Sequence, residues 1–558
     1  MLKFLKQNFF AFVFLSLLIV IVFKNLPQTF YQQDEWFSLG AVISTGPDAI
    51  FTGVWQPLDL LFVKGRILSG VIGYLFLNYF PLENSQLAIF AIALHIIATL
   101  LVYLLIYRFL KNLIISLLGA CFFAVNAVSH GAVTWPIIAV NTVTSTILII
   151  LGIFFFFKYL DNFRLKWAII SGLMIYISLW FKETGTYLFL SLPLSVLLFK
   201  RFTSLNFLKT FWFFILPFVS IIIFRIIQYK SLPTVTNLYI TGQNEHFFST
   251  LILRAFLYPL TSFSLMFVPG GHFLSFAREI LREIYPFFSS AENNILIAQS
   301  VILDLLSTIL TGVIFLLVFI LNRKETLHIK RLVYFWLIFT FMSFLPYILQ
   351  SKDFSYLESR YYYLSVVGAS VLLAWVLKRL WEIFPSGRRI SGQSFFYTII
   401  LPICIIYLIV HANVVRGSIA EQVKIANLQK SFIAQLKTLV PTLDNKRSVF
   451  YTSSDQNFWA EGNKLPFQQG SGYTLMILYY DSKKIPNEFL RAQSLLEDGF
   501  LFGIGTQGYK EKGEYGFGYF WDKNELEKAL KQYNLPTSSV IKLEYNSNTN
   551  KLKRINYD

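Results

Sequence analysis

An acidic pair, Asp34-Glu35, follows the first apolar helix, which is read from about Phe9 to Phe23. A carboxylate at a membrane–water boundary can take the proton from an attacking hydroxyl. Partial desolvation there raises its pKa towards a useful range. The plain alternative is a solvated charge pair on a loop. A second pair, Lys182-Glu183 in Trp180-Phe181-Lys182-Glu183-Thr184-Gly185, sits between two apolar stretches with almost no loop. A cation there can face a lipid phosphate with Glu183 orienting it, or the two side chains can satisfy each other. Glu358-Ser359-Arg360-Tyr361-Tyr362-Tyr363 opens a further apolar stretch. A guanidinium fork suits phosphate oxygens, while the tyrosines equally suit an interfacial aromatic belt. Arg66, His130 and Trp135 are candidates on the same side; His130 and Trp135 bound one tight turn, where an interfacial role is the alternative. A base and several cations are the parts needed to transfer a group away from a phosphate.

These residues must be positioned by membrane helices. The chain has 558 residues, 55% hydrophobic and 14% charged, with mean hydropathy +0.56. A soluble domain carries far more charge. Apolar runs near 8–23, 86–107, 112–128, 138–157, 166–181, 184–199, 210–228, 297–321, 332–349, 361–377 and 395–413 predict about eleven spans, each set against a ~30 Å hydrocarbon core. Lys3 and Lys6 precede the first, which is read as a retained anchor with a cytosolic N-terminus. Arg108/Lys111, Lys158/Arg164/Lys166, Lys200/Arg201, Arg323/Lys324/Lys330/Arg331 and Lys378/Arg379/Arg388/Arg389 then all fall on the cytosolic side, as basic loops do.

The fold class expected is an all-α polytopic bundle with a small extracytoplasmic α/β domain. Residues 1–415 form the membrane domain, with outer loops 24–85 and 230–296, and 416–558 the tail domain. In the first loop, Ile67–Phe80 reads as an interfacial or re-entrant helix; in the second, Phe247–Val268, interrupted by Arg254 and Pro259, reads as interfacial. The tail opens with a helical stretch, Ile419–Leu439. Strands are expected at Ser448–Ser453, Phe500–Gly505, Tyr515–Trp521 and Val540–Tyr545, with a helix over Lys523–Tyr533 capped by Asp522. Gly503–Tyr519 reads as a glycine-rich hairpin.

The net charge of +17 is largely topological. Residues 416–558 hold 19 of the 48 Lys/Arg and 15 of the 31 Asp/Glu, and most of the remaining excess lies in the cytosolic turns. It therefore meets anionic lipid rather than nucleic acid. Cys121 and Cys404 lie in apolar runs and imply no disulfide framework. No Walker loop, zinc spacing, nucleophile elbow or dinucleotide fingerprint is present, and no metal ligand set is assigned.

The order of first span, acidic pair, multi-span body and outer tail resembles the GT-C class of membrane glycosyltransferases. It is most similar to protein O-mannosyltransferases and their bacterial polyprenyl-phosphate-sugar-dependent relatives. Gly119–Leu151 is similar to a turn-and-helix segment of that group, with Asn126-Ala127 in place of its His-Pro; Phe181–Thr184 matches a recurrent Lys-Glu turn, and Glu358–Tyr363 an Arg-Tyr-x-Tyr segment. The resemblance covers roughly residues 1–380, and the tail carries no tetratricopeptide array. It implies an inverting transfer of a monosaccharide from a polyprenyl-phosphate donor to an extracytoplasmic glycan, lipid or protein. Asp34 is then the base, with Glu35 shaping its field. Arg360, Lys182 and Arg66 bind the donor phosphate, supported by Glu183, Glu358, His130 and Trp135. No cofactor is obligatory, although some members of the class use a divalent ion, here near Asp34. A transporter or flippase, and a non-catalytic cell-envelope assembly protein, are the competing readings. The composition suggests a bacterial inner (plasma) membrane.

Overall fold

The structure is a computed structural model that describes residues 2–51, 66–199, 214–215, 218–219, 223, 247–284, 292–348, 357–383, 392–454, 471–490 and 507–556. The expected strand at 500–505 and almost all of the expected span at 210–228 lie outside the described residues, as do the side chains of Gln33 and Asp34. In chain order the first helices are α1 (Leu2–Phe23), α2 (Gln33–Thr45), α3 (Ile67–Tyr79), α4 (Asn84–Leu110), α5 (Leu113–Ala124), α6 (Pro136–Asn162), α7 (Leu165–Leu179) and α8 (Leu188–Phe199). There follow α9 (Phe247–Phe263), α10 (Gly270–Ile284), α11 (Glu292–Asn322), α12 (Leu327–Met342), α13 (Tyr363–Ile383) and α14 (Leu401–Leu439). The tail adds β1 (Arg447–Ser454), α15 (Ser471–Leu478), β2 (Gly508–Lys512), β3 (Tyr515–Phe520), α16 (Lys523–Gln532), β4 (Val540–Asn546) and β5 (Lys551–Ile555). Two compact units result. The first comprises Met1–Lys24, Val54–Ser69 and Phe90–Gly417; the second comprises Asn25–Gly53, Gly70–Ile89 and Ser418–Asp558.

The first unit is a helical membrane bundle. Among the described residues, seven helical stretches are long and apolar enough to cross a bilayer: Gln7–Gln28, Asn84–Leu110, Pro136–Asn162, Ala298–Asn322, Leu327–Tyr347, Tyr363–Glu382 and Phe396–Leu439. In hydrocarbon each backbone N–H and C=O must be satisfied within its own segment, which forces these runs into helix. The expected eleven spans are thus not all of spanning length. The runs at 112–128, 166–181 and 184–199 become helices of 10–17 residues, and the 12-residue α5 rises only ~18 Å. The polar turns at Asn126 and Lys182-Glu183 stop them early. Leu251–Met266 and Gly270–Leu281 form a pair bent by 105° at the Phe267–Pro269 break, where a single interfacial stretch was expected.

Helix ends follow local chemistry. The Asn112 side chain accepts from the Ile115 amide (3.1 Å) and caps α5. Pro136 opens α6, where its missing N–H costs nothing. Small residues set the packing distance between helices. A Cβ at Gly119 would come within 2.9 Å of Ala374 Cβ and 3.0 Å of the Ser370 carbonyl, so α5 and α13 pass almost backbone to backbone. Buried His95 ties three elements: its Nε2 donates to the Ala124 carbonyl (2.9 Å), so its Nδ1 accepts from the Tyr363 hydroxyl (2.7 Å). That pairing requires the neutral ring.

The second unit is built on a five-stranded sheet in the order β2-β3-β1-β4-β5. β1 runs parallel to β3 and β4, and the edge strands β2 and β5 pair antiparallel. The expected hairpin is realised over 508–520, turning at Gly513 with φ +61°. Asp522 caps α16 by accepting from the Asn524 and Glu525 amides. One core cluster joins Phe432, Leu436, Phe450, Tyr479 and Phe517 of the tail to Tyr31, Trp36 and Leu39 of the stretch expected to be loop and to Leu77 of the expected helix Ile67–Phe80. Most of 25–51 is therefore ordered on the tail, not loose. Tyr31 accepts from the Leu82 amide (3.0 Å), and Asn84 Nδ2 donates to Thr29 Oγ1 (3.1 Å), which pins 29–31 against 82–84.

Candidate functional site

Three polar turns of the first unit meet at one end of the bundle. The first is the helical turn Gly131–Thr134, which leads into α6. The second is Phe181–Thr186, where Glu183–Gly185 makes a 3-10 turn between α7 and α8. The third is Glu358–Tyr362, a 3-10 turn before α13. Gly131 permits the first and third to touch, since a Cβ there would collide with Ser359 Oγ and come within 3.4 Å of the Arg360 nitrogen.

Lys182 is 6% exposed, and its Nζ donates to Thr142 Oγ1 (2.7 Å) while lying 5.5 Å from the Tyr361 ring centroid. Arg360 stacks over Trp135 at 4.7 Å and over Tyr361 at 5.3 Å, and its Nε meets Glu358 Oε2 at 2.7 Å. Tyr361 in turn stacks on Tyr347 with centroids 4.4 Å apart. Arg66 grips Glu183 through two bonds, Nε to Oε2 (3.0 Å) and Nη2 to Oε1 (3.2 Å). Both partners of that pair are nearly half exposed. Such a pair is worth little in water, so an incoming anion can displace the carboxylate cheaply.

The electrostatics favour an anion. Three cations face two carboxylates in a partly dry setting. Burial pushes the Lys182 amine well below its ordinary value; Arg66 and Arg360 push the same way, and Glu183 and Glu358 oppose them. The half-buried His130 imidazole is also lowered by burial, against the effect of its hydrogen bond to the Ala127 carbonyl (2.7 Å).

Six of the residues singled out in the sequence therefore share this cluster: Arg66, Trp135, Lys182, Glu183, Glu358 and Arg360. His130 adjoins it through Gly131. Thr142 and Tyr347 were missed. Thr142 belongs to a polar stripe, Asn141-Thr142-Val143-Thr144-Ser145-Thr146, inside an apolar run. Such a stripe was a readable sign of a polar face in the bundle. Asn126 is a turn residue. Its Oδ1 accepts from the Val128 and Ser129 amides, and its Nδ2 donates to the Met266 carbonyl (2.9 Å).

Asp34 and Glu35 belong to the second unit, in the first turn of α2. Glu35 is fully buried and accepts from the Gln32 amide (3.1 Å), while Gln32 caps the Glu35 end in return. This is a capping box, in which two orphan amides are satisfied reciprocally. Glu35 thus has a structural task that its sequence role of shaping the field around Asp34 did not include. Glu35→Leu should lower the unfolding temperature, a loss of about 1 kcal/mol, whereas Glu35→Gln keeps an acceptor oxygen and should unfold within a degree or two of wild type by thermal scanning. Equal loss in both variants would show that the carboxylate's charge, not its capping bond, is what matters. No group of three or more His, Cys, Asp or Glu poised for a metal occurs among the described residues.

No family model matches the sequence, and no curated protein matches it.

Proposed function

We propose that this chain is a membrane glycosyltransferase of the GT-C type, moving a monosaccharide from a polyprenyl-phosphate donor to an extracytoplasmic acceptor with inversion. The observation that carries the proposal is the gathering of Arg66, Lys182 and Arg360, far apart in sequence, around Trp135 and Tyr361 at one end of the bundle. The departing lipid phosphate needs fixed positive charge in a place where water is scarce, because the field acts there with least screening. Arg360 stacks on Trp135 and pairs with Glu358, and its planar fork is of the kind that suits phosphate oxygens. The base is assigned to Asp34 from the sequence resemblance. The positive-inside rule puts the cluster on the outer face, with the N-terminus cytosolic and the tail outside.

The test is to incubate membranes containing the overproduced chain with a panel of radiolabelled polyprenyl-phosphate monosaccharides. At least one should lose label to an acceptor fraction, and membranes carrying Arg360→Ala should not support it. Consumption of none of the panel, with the protein folded, would overturn the reading.

Lys182 adds a pH signature. Burial lowers the amine in the empty site, and a bound phosphate favours its charged form. Binding therefore takes up a proton, and donor affinity should fall as pH rises through the empty-site value. Titrating polyprenyl monophosphate at several pH values should show that slope in wild type and a flat response in Lys182→Met. A rising affinity in wild type would contradict the assignment.

A further inference from the structure

Between α11 and α12, from the last turn of α11 along the C-terminal half of α12, lies a groove of 480 Å³. Phe315, Phe319, Tyr334, Ile338 and Phe341 line it, and Asn322 closes it at the last turn of α11. The outer rim is open to the surroundings: Phe319 is 52% and Ile338 42% exposed. Asn322 is 2% exposed, and neither its Nδ2 nor its Oδ1 has a hydrogen-bond partner. An amide buried without a partner is costly. Here it lies against a space large enough to hold an apolar chain, and in a membrane lipid tails fill apolar grooves.

The chemistry beside the amide narrows the occupant. The next residue, Arg323, holds its guanidinium 5.3 Å from the ring of Phe319, itself part of the groove, and Arg323 and Lys324 are both exposed. The one acid of this turn, Glu325, is already neutralised: Arg379 Nε meets it at 2.9 Å, and Trp375 Nε1 donates to it at 3.2 Å. The turn is thus cationic at its surface, polar one residue deeper and apolar beyond. A lipid with a phosphate, an ester carbonyl and acyl chains has the same order of groups.

The geometry points to a specific site for an anionic glycerophospholipid on the α11–α12 hairpin. The acyl chains lie along Phe315, Phe319, Ile338 and Phe341, an ester carbonyl accepts from Asn322 Nδ2, and the phosphate faces Arg323 and Lys324. The positive-inside reading of this loop places the lipid in the cytosolic leaflet. The inference does not rest on the glycosyltransferase reading, since none of these residues belongs to the cluster around Arg360.

The test uses the full chain, delipidated in detergent and titrated with phosphatidylglycerol or phosphatidylcholine, with bound lipid counted by native mass spectrometry and stability followed by thermal scanning. Wild type should retain one phosphatidylglycerol and gain thermal stability from it. Asn322→Leu should fold, because it removes the unsatisfied amide, yet bind phosphatidylglycerol about tenfold more weakly, the loss expected for one hydrogen bond. The double variant Arg323→Gln/Lys324→Gln should bind both lipids alike, which gives a reading even if Asn322→Leu fails to fold. Unchanged retention in both variants, equal binding of the two lipids by wild type, or a lipid-free dimer seated on this face would each overturn the site.

Discussion

Asp34→Asn should abolish sugar transfer while leaving donor binding and folding nearly intact. Removing a general base typically costs ~10²–10⁴-fold in rate. The substitution is nearly isosteric and keeps an oxygen at the same position, so α2 should still start at Gln33. Glu35 supplies the internal control. Its carboxylate accepts from the Gln32 amide, and a glutamine oxygen can do the same. Of the two neighbouring amide substitutions, only the one at Asp34 should therefore silence turnover. The measurement is single-turnover transfer of labelled sugar in proteoliposomes, with thermal scanning of both variants. Full transfer by a well-folded Asp34→Asn protein would rule out the assigned base. Loss in both variants would make the acidic pair act as a unit.

Arg360→Ala should weaken donor binding and slow turnover together, because the phosphate carries charge in both ground and transition states. A hydrogen bond to a charged group contributes about 1.5–3 kcal/mol, so donor affinity should fall roughly 10- to 150-fold. Arg360→Lys is the sharper variant. It keeps the charge but loses the planar fork that now stacks over Trp135 and Tyr361. It should recover only part of the affinity. Complete rescue by lysine would mean that the site reads charge alone and that the aromatic stack has no part in orienting the donor. Trp135→Leu should then behave like a mild version of Arg360→Lys, since it frees the guanidinium without removing it.

The site was legible in the sequence to the extent that its residues are charged and sit at the ends of apolar runs. Lys182-Glu183 and Glu358-Ser359-Arg360 stood out for that reason, and the structure brings them together with Arg66 and Trp135. Thr142 and Tyr347 were not singled out, because a threonine or tyrosine within a membrane helix is ordinary until a charged partner is seen beside it. Lys182 donating to Thr142 could be learned only from packing. The same holds for the fold. Long apolar runs gave seven of the expected spans, while runs broken by Asn126 or Lys182-Glu183 gave shorter helices, since length is decided by where polar groups turn the chain. The segment after the first span was read as loop, although Trp36, Leu39 and Val42 recur at helical spacing and are buried in the structure. β5 escaped because edge strands are charged: Lys551-Leu552-Lys553-Arg554 carries one apolar residue, and that residue alone enters the core.

Arg66, Lys182 and Arg360 should act as one phosphate site. Equilibrium binding of a short-chain polyprenyl monophosphate, the leaving group without its sugar, tests this with no knowledge of sugar or acceptor. The protein would be held in nanodiscs of zwitterionic lipid, so that bulk anionic lipid does not compete. Saturable binding should be lost or strongly weakened in Arg360→Ala and Lys182→Met, weakened less in Arg66→Ala, and unchanged in Asp34→Asn. Binding that is absent in wild type, or that survives both Arg360→Ala and Lys182→Met in folded protein, would contradict the claim.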